Sequence, residues 1–250
     1  MINFKNEKEI ETIKKSTQRL KEVIKRLLPT IKPGITTKSI DQKAEKLIKE
    51  CGGEPSFKKV KGYHWSTCLP INEEIVHTPP SDRILKSGDI LTLDTGVYYH
   101  GYHSDWATTV VVGEAKNEKT KKFLEAGKQT LYEVIKQARV GNYIGHISYA
   151  IEQEILKNGF FVIKELSGHG IGKELHEEPL IPCFLDKPIK RTAKIENGMV
   201  LAIEVIYSMG STTIEYKQNN HWSLVTADKS LAACFEHTIA IVKNKPFILT

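Results

Sequence analysis

Four cysteines lie scattered along the chain, Cys51, Cys68, Cys183 and Cys234, and no two make a CxxC pair. That spacing argues against a thiolate zinc site and against a disulfide scaffold, and it fits a reducing cytoplasm. No apolar run approaches the roughly 18 residues of a membrane span, and the opening stretch MINFKNEKEIETIKKS is too polar for a signal peptide. The sequence contains no G-x-S-x-G elbow and no P-loop, which weakens the case for serine-hydrolase and P-loop nucleotide chemistry. What remains is an ordinary globular mixture, 40% hydrophobic and 26% charged over 250 residues, enough for one large domain.

Charge is unevenly placed. Residues 1–61 hold 16 Lys+Arg against 8 Asp+Glu, a net +8, while the other 189 hold 20 against 22, a net −2. A basic end of this kind could face an acidic partner such as RNA, although a solvated helix surface is the plainer reading.

Apolar residues recur at helical spacing through Ile10, Ile13, Thr17, Leu20, Ile24 and Leu27, and Pro29 ends that helix. A second helix buries Ile40, Ala44, Leu47, Ile48 and Cys51 and stops at Gly52-Gly53. Strand-like runs follow at Glu74–His77, Asp89–Val97 and Trp106–Val112. The pattern then restarts. A helix carries Phe123, Ala126, Leu131, Val134 and Ala138, and another carries Ile144, Ile147, Ile151 and Ile155 to Asn158-Gly159. Strands are expected at Phe160–Leu166, Met199–Tyr207, Ser223–Val225 and His237–Val242. A shift of 107 residues lays Gly34 on Gly141, Ile40 on Ile147, Glu45 on Glu152, Ile48 on Ile155 and Gly52 on Gly159. The expectation is one α+β domain over 1–250 built of two similar halves, about 8–113 and 117–250, with a site at their junction.

Charged residues inside apolar strands mark that site. Asp94 and Asp105 flank a turn, and a hairpin turning at Tyr99-His100 would set them directly opposite, about 5 Å apart at Cβ. Facing carboxylates repel unless a cation lies between them. Glu204 interrupts VLAIEVIY, and Glu236 stands at the mouth of FEHTIAIV. His169 sits in SGHGIGKELHEEP, between glycines that let backbone approach a ligand closely. That segment has neither the dinucleotide spacing nor a HExxH motif. Four carboxylates and one imidazole suit Mn²⁺, Fe²⁺, Co²⁺ or Zn²⁺, and two divalent ions would balance four negative charges.

With these motifs in hand, namely INEEIVH (71–77), DTGVYYHGYHSD (94–105), GHGIGKELHEEP (168–179), IE (203–204) and FEHT (235–238), the chain resembles the type I methionine aminopeptidases of the pita-bread metallopeptidase family over nearly its whole length. The resemblance implies two pseudo-symmetric halves around a central antiparallel sheet, flanked by two helix pairs. It implies two divalent metals held by Asp94, Asp105, His169, Glu204 and Glu236, with Asp105 and Glu236 bridging. Asp94 would complete one metal, and His169 with Glu204 the other. It makes His77 and His176 the groups that bind the scissile peptide, and Glu204 the proton shuttle. It places Cys68, Tyr63, Trp65, Leu175 and Trp222 around the methionine side chain, where a thiol and aromatic faces suit a thioether.

The implied activity is removal of initiator methionine from nascent chains with small second residues, by a cytoplasmic monomer. The basic segment 1–61 would offer contact to the ribosome, and neither DNA nor membrane is an expected partner. Three departures bear on pocket shape: His77-Thr78-Pro79-Pro80 stands where the family has His-Gly-Ile-Pro, Ala202-Ile203-Glu204-Val205 where it has Thr-Ile-Glu-Pro, and the stretch between Gly62 and Cys68 is about three residues shorter than usual. The rival readings are an Xaa-Pro peptidase of the same fold and a metal-free ribosome- or RNA-binding relative.

Overall fold

The computed structural model describes residues 1–218 and 220–250. Among them, helices α1 (Glu7–Leu27) and α2 (Thr37–Glu50) precede β1 (Glu54–Pro55), β2 (Thr67–Cys68), β3 (Ile90–Tyr99) and β4 (Tyr102–Val111). Helices α3 (Glu118–Ile135) and α4 (Ile144–Lys157) precede β5 (Phe161–Val162), β6 (Ser167–Gly170), β7 (Glu177–Pro182) and β8 (Val200–Ser208). The chain closes with β9 (Ile214–Tyr216), β10 (Leu224–Thr226), β11 (Ala232–Val242) and β12 (Lys245–Ile248).

The helices form where period and caps agree. At the start of α1 the Asn6 side chain accepts from Glu9 N–H at 3.0 Å, and Asn6 N–H donates to the Glu9 carboxylate at 2.9 Å. This reciprocal box satisfies two otherwise orphaned donors. Ile10, Ile13, Thr17, Leu20, Val23 and Leu27 face inward, and a 3-10 turn carrying Pro29 ends the helix. The α3 helix stops at Ile135, short of Ala138. Helices α2 and α4 each run 14 residues, from 37 to 50 and from 144 to 157, so both ends are offset by 107. The turns before them match: Gly34 and Gly141 have φ of +92° and +99°. So do those after them, with Gly52 at +72° and Gly159 at +79°, values that glycine alone adopts without strain.

One antiparallel sheet carries the order β1-β3-β4-β11-β8-β6-β7, with β2 on β3, β5 on β8 and β12 on β11; β9 and β10 pair separately. Strand alternation sorts its two faces. Leu91, Leu93 and Val97 of β3 join Leu20, Ile40 and Leu47 of the first helix pair. Leu201, Ile203 and Val205 of β8 join Phe123, Ile147 and Ile151 of the second. The residues between them, Asp94 and Glu204, therefore project from the opposite face.

Several strand expectations change. The β3–β4 turn is His100-Gly101, with φ of +48° and +87°, and Tyr99 pairs with Tyr102. A two-residue loop with both φ positive matches the twist of its strands and fixes the register. Asp94 thus opposes Ala107, and Asp105 opposes Gly96. The two aspartates are diagonal neighbours on one face rather than directly opposite. Strands β4 and β11 begin four and five residues earlier than expected, so Asp105 and Glu236 lie within strands and not at their mouths. Residues Glu74–His77 are not a strand; they make one isolated bridge, Glu74 to Val225, before His77 takes φ +57° and Pro79-Pro80 removes further donors. Of Phe160–Leu166 only Phe161–Val162 is strand.

Candidate metal centre and substrate pocket

Five adjacent strands, β3, β4, β11, β8 and β6, each contribute one of the five expected ligands. Asp94 opposes Ala107, Ala107 opposes Glu236, and Glu236 opposes Glu204, a single row across four strands. Two residues along, Asp105 opposes Gly96, Thr238 opposes Ala202, and Ala202 opposes His169. The ligands therefore fill two neighbouring rows on one face. Ala107 and Ala202 sit between them, small enough to leave the space open.

Ligand atoms of Asp105, His169 and Glu236 all lie within 4.8 Å of one another, and all three residues are buried. Glu204 Oε1 is 3.5 Å from His169 Nε2. Burial pushes the carboxyls of Asp94, Asp105, Glu204 and Glu236 well above the usual range, and their mutual repulsion pushes the same way. Burial holds His169 down at about 3, so its imidazole is neutral and able to ligate. His169 Nδ1 lies 2.8 Å from the Gly170 carbonyl, which leaves Nε2 toward the carboxylates. Glu236 Oε1 is buried with no hydrogen-bond partner among the described residues. An orphaned carboxyl oxygen in a ring of acidic side chains and one imidazole fits a divalent cation.

The ligands open into a cavity of about 120 Å³, also lined by Phe57, Val60, Tyr63, Cys68, Leu175 and Trp222. That is several times the roughly 10–15 Å³ that one water requires on this measure. Tyr63 O–H donates to the Cys68 sulfur at 3.1 Å, and its ring stands edge-on to Trp222 at 5.1 Å. Trp65 does not line the cavity; its ring packs edge-on to Tyr63 at 5.2 Å, supporting the wall from outside. Phe57, Val60 and Val76 line it unexpectedly. Phe57 opens a short 3-10 turn and Val60 follows it, where no apolar period could reveal them. His77 and His176 both line the cavity, with His176 4.5 Å from the His169 ring and His77 exposed at the rim.

The glycines around His169 serve a different purpose from the one expected. A Cβ on Gly168 would lie 2.5 Å from the Ala202 carbonyl oxygen, and one on Gly170 would lie 2.3 Å from that of Glu178. They permit β6 to lie tight between β8 and β7, which is what brings His169 to the sheet's fifth ligand position. Next to His176, Glu177 forms a buried pair with Lys5 at 2.6 Å, tying the first residues of the chain to this wall.

Residues 11–243 match the model of metallopeptidase family M24. The chain is 40% identical over 250 residues to "Methionine aminopeptidase" of Clostridium perfringens, covering all of this chain and 99% of that protein. It is also 40% identical over 250 residues to "Methionine aminopeptidase 1" of Bacillus subtilis, with the same coverage. The crystal structure of methionine aminopeptidase from Thermotoga maritima superposes with a TM-score of 0.95 at 35% identity, covering 100% and 99% of the two chains. Prolidase from Pyrococcus furiosus, at TM-score 0.80 and 24% identity over 65% of its length, shares the fold. The chain belongs to metallopeptidase family M24 and, within it, to the type I methionine aminopeptidases.

Proposed function

We propose that this protein removes the amino-terminal methionine from nascent polypeptides whose second residue is small, using two divalent metal ions. The observation that carries the reading is the pair of ligand rows opening directly into a thiol- and aromatic-lined cavity. When bound, the ions supply Lewis acidity and lower the pKa of a water. Asp94, Asp105, His169, Glu204 and Glu236 would hold them, Asp105 and Glu236 as the shared ligands that the family resemblance implies. Glu204, on the row's edge with an imidazole 3.5 Å away, moves the proton from the attacking water toward the leaving amine. His77 and His176 bind the scissile peptide group from the cavity rim and wall and stabilise the charge that develops on its oxygen. Tyr63, Cys68, Leu175 and Trp222 receive the methionine side chain, with Trp65 bracing Tyr63. Residues 1–250 act as one catalytic domain in two related halves, a reading supported by the matched helices and glycine turns.

The Xaa-Pro reading has less support, because the prolidase likeness reaches the fold alone. The basic segment 1–61 docks the enzyme on the ribosome; co-sedimentation that does not weaken with rising salt would count against an electrostatic dock.

The test is hydrolysis of Met-Ala-Ser by metal-stripped protein with Mn²⁺, Fe²⁺, Co²⁺ or Zn²⁺ returned, beside Asp105→Ala and beside Ala-Pro-Ala as substrate. Activity restored by metal, absent in the variant and selective for Met-Ala-Ser is the expected result. Preference for Ala-Pro-Ala would replace this reading with the Xaa-Pro one, and a calorimetric titration of the apoprotein counts the ions.

A further inference from the structure

The geometry points to a second binding element, a groove outside the metal centre that holds the substrate chain beyond its second residue and favours basic side chains there. This rests on the aminopeptidase reading above. His77 lines both the metal cavity and an open groove formed with Leu166, Ile214 and Tyr216 and edged by Glu165 and Glu215. A chain whose first residue fills the cavity must leave past the rim, and His77 is the residue the two spaces share. An extended chain advances about 3.3 Å per residue, so its third to fifth residues traverse about 10 Å of this floor.

The groove is anchored to the site. Ile75 N–H, two residues before His77, donates to the Leu224 carbonyl of β10 at 2.8 Å, and β10 pairs with β9, which carries Ile214, Glu215 and Tyr216. Leu166 lies just before β6, three residues from His169.

Its chemistry is acidic and aromatic. Glu165 and Glu215 are both exposed, and neither has an ion-pair partner among the described residues. The cations nearest in sequence are engaged elsewhere: Lys164 lies 5.3 Å over the Phe184 ring, and Lys217 pairs with buried Glu74. Tyr216 is 68% exposed, a large side chain open to solvent that lines the same groove as the two carboxylates. A lysine or arginine lying there meets two anions and an aromatic face, while an acidic residue meets repulsion.

The experiment measures kcat and KM of the metal-loaded enzyme on Met-Ala-Lys-Arg-Ser and Met-Ala-Glu-Asp-Ser, with Met-Ala-Ser as the peptide too short to use the groove. The expected kcat/KM is about three- to tenfold higher for the basic pentapeptide at low salt, carried mainly by KM and shrinking toward 1 M salt. Glu165→Lys with Glu215→Lys should invert the order, and Tyr216→Ala should reduce the basic preference. Equal kcat/KM for the two pentapeptides, or a preference the charge-reversed variant leaves intact, overturns the groove. Failure to cleave Met-Ala-Ser as well would instead overturn the aminopeptidase reading and the groove's role with it.

Discussion

The Thr238 hydroxyl donates to the Asp105 carbonyl at 2.7 Å and accepts from the Asp105 N–H at 3.1 Å, standing in for a ladder bond between β11 and β4. Thr109 mirrors it: its hydroxyl donates to the Cys234 carbonyl and accepts from the Cys234 N–H, both at 3.0 Å. Between the two threonines lie the direct pairs Ala107 with Glu236 and Trp106 with His237. The seam joining the two halves of the sheet is thus bracketed by hydroxyls, one of them on the backbone of a ligand. Thr238→Val and Thr109→Val should each cost about 2–4 kcal/mol in urea melts, because each leaves a buried N–H and C=O unpaired. Only Thr238→Val should also weaken metal binding, by about tenfold or more in calorimetric titrations. Equal metal affinity in the two variants would show that Thr238 holds the seam and not the ligand.

Burial and the neighbouring Asp94 charge push the Asp105 carboxyl up, so its ionised form opposes folding above the ordinary carboxylate range, increasingly until pH passes its folded value. Asp105→Asn keeps an acceptor for Trp106 N–H, which now bonds Oδ1 at 2.9 Å. The metal-free variant should melt a few degrees higher than metal-free wild type at pH 7.5, about 2–4 °C for each 1 kcal/mol recovered. Added Mn²⁺ should raise the wild-type Tm and leave the variant's almost unchanged. A lower melting temperature for the metal-free variant would refute this.

The Lys5–Glu177 pair has side chains only 5% and 4% exposed. Burial works to raise the Glu177 carboxyl, but the Lys5 ammonium together with the Glu174 N–H and the Asn3 side chain outweighs it and holds the group below its usual value. Lys5→Met should cost about 3–5 kcal/mol by leaving a buried carboxylate alone, and the double variant Lys5→Met/Glu177→Leu should recover most of that. Since the folded value is depressed, the pair's contribution is present above the usual glutamate value, about 4.3, and fades as pH falls through the folded one. Denaturant melts of the four proteins measure the cycle; additive losses would mean the two side chains do not cooperate.

His103, on β4, has its Nδ1 2.5 Å from the Ser56 hydroxyl, and burial lowers it to about 4, with the His176 and Lys59 charges acting the same way. An unfolded histidine titrates near 6.5. The folded chain therefore resists a proton that the unfolded chain accepts, and this contribution is whole above about pH 6.5 and lost as pH falls toward 4. The stability difference between metal-free wild type and His103→Asn should shrink across that window by up to about 3 kcal/mol. A difference that stays constant with pH would place the effect in packing alone.

The helices were readable because their signals are local. In α1 the apolar stripe repeats every three to four residues, and Pro29 ends it within a residue or two of the expected point. The candidate ligands stood out because a carboxylate inside VLAIEVIY or FEHTIAIV has no apolar rationale. Trp65 misled because an aromatic beside Tyr63 looks the same in sequence whether it lines a wall or braces it from outside. Thr238 carries no such signal, since threonine is an ordinary strand residue and its hydroxyl matters only through Asp105, 133 positions away.

The sequence by itself determined where the four helices lie, which residue types could ligate a cation, and that the helix pattern occurs twice at an interval of 107. Each of these is written in neighbouring residues and their period. Only the tertiary structure decided that the aspartates are diagonal, that five strands each present one of the expected ligands, and that β6 reaches the sheet between two close-packed neighbours. Register follows from a His100-Gly101 turn and from hydroxyls bonding across the seam, and a shift of one residue would have turned every ligand toward the helices.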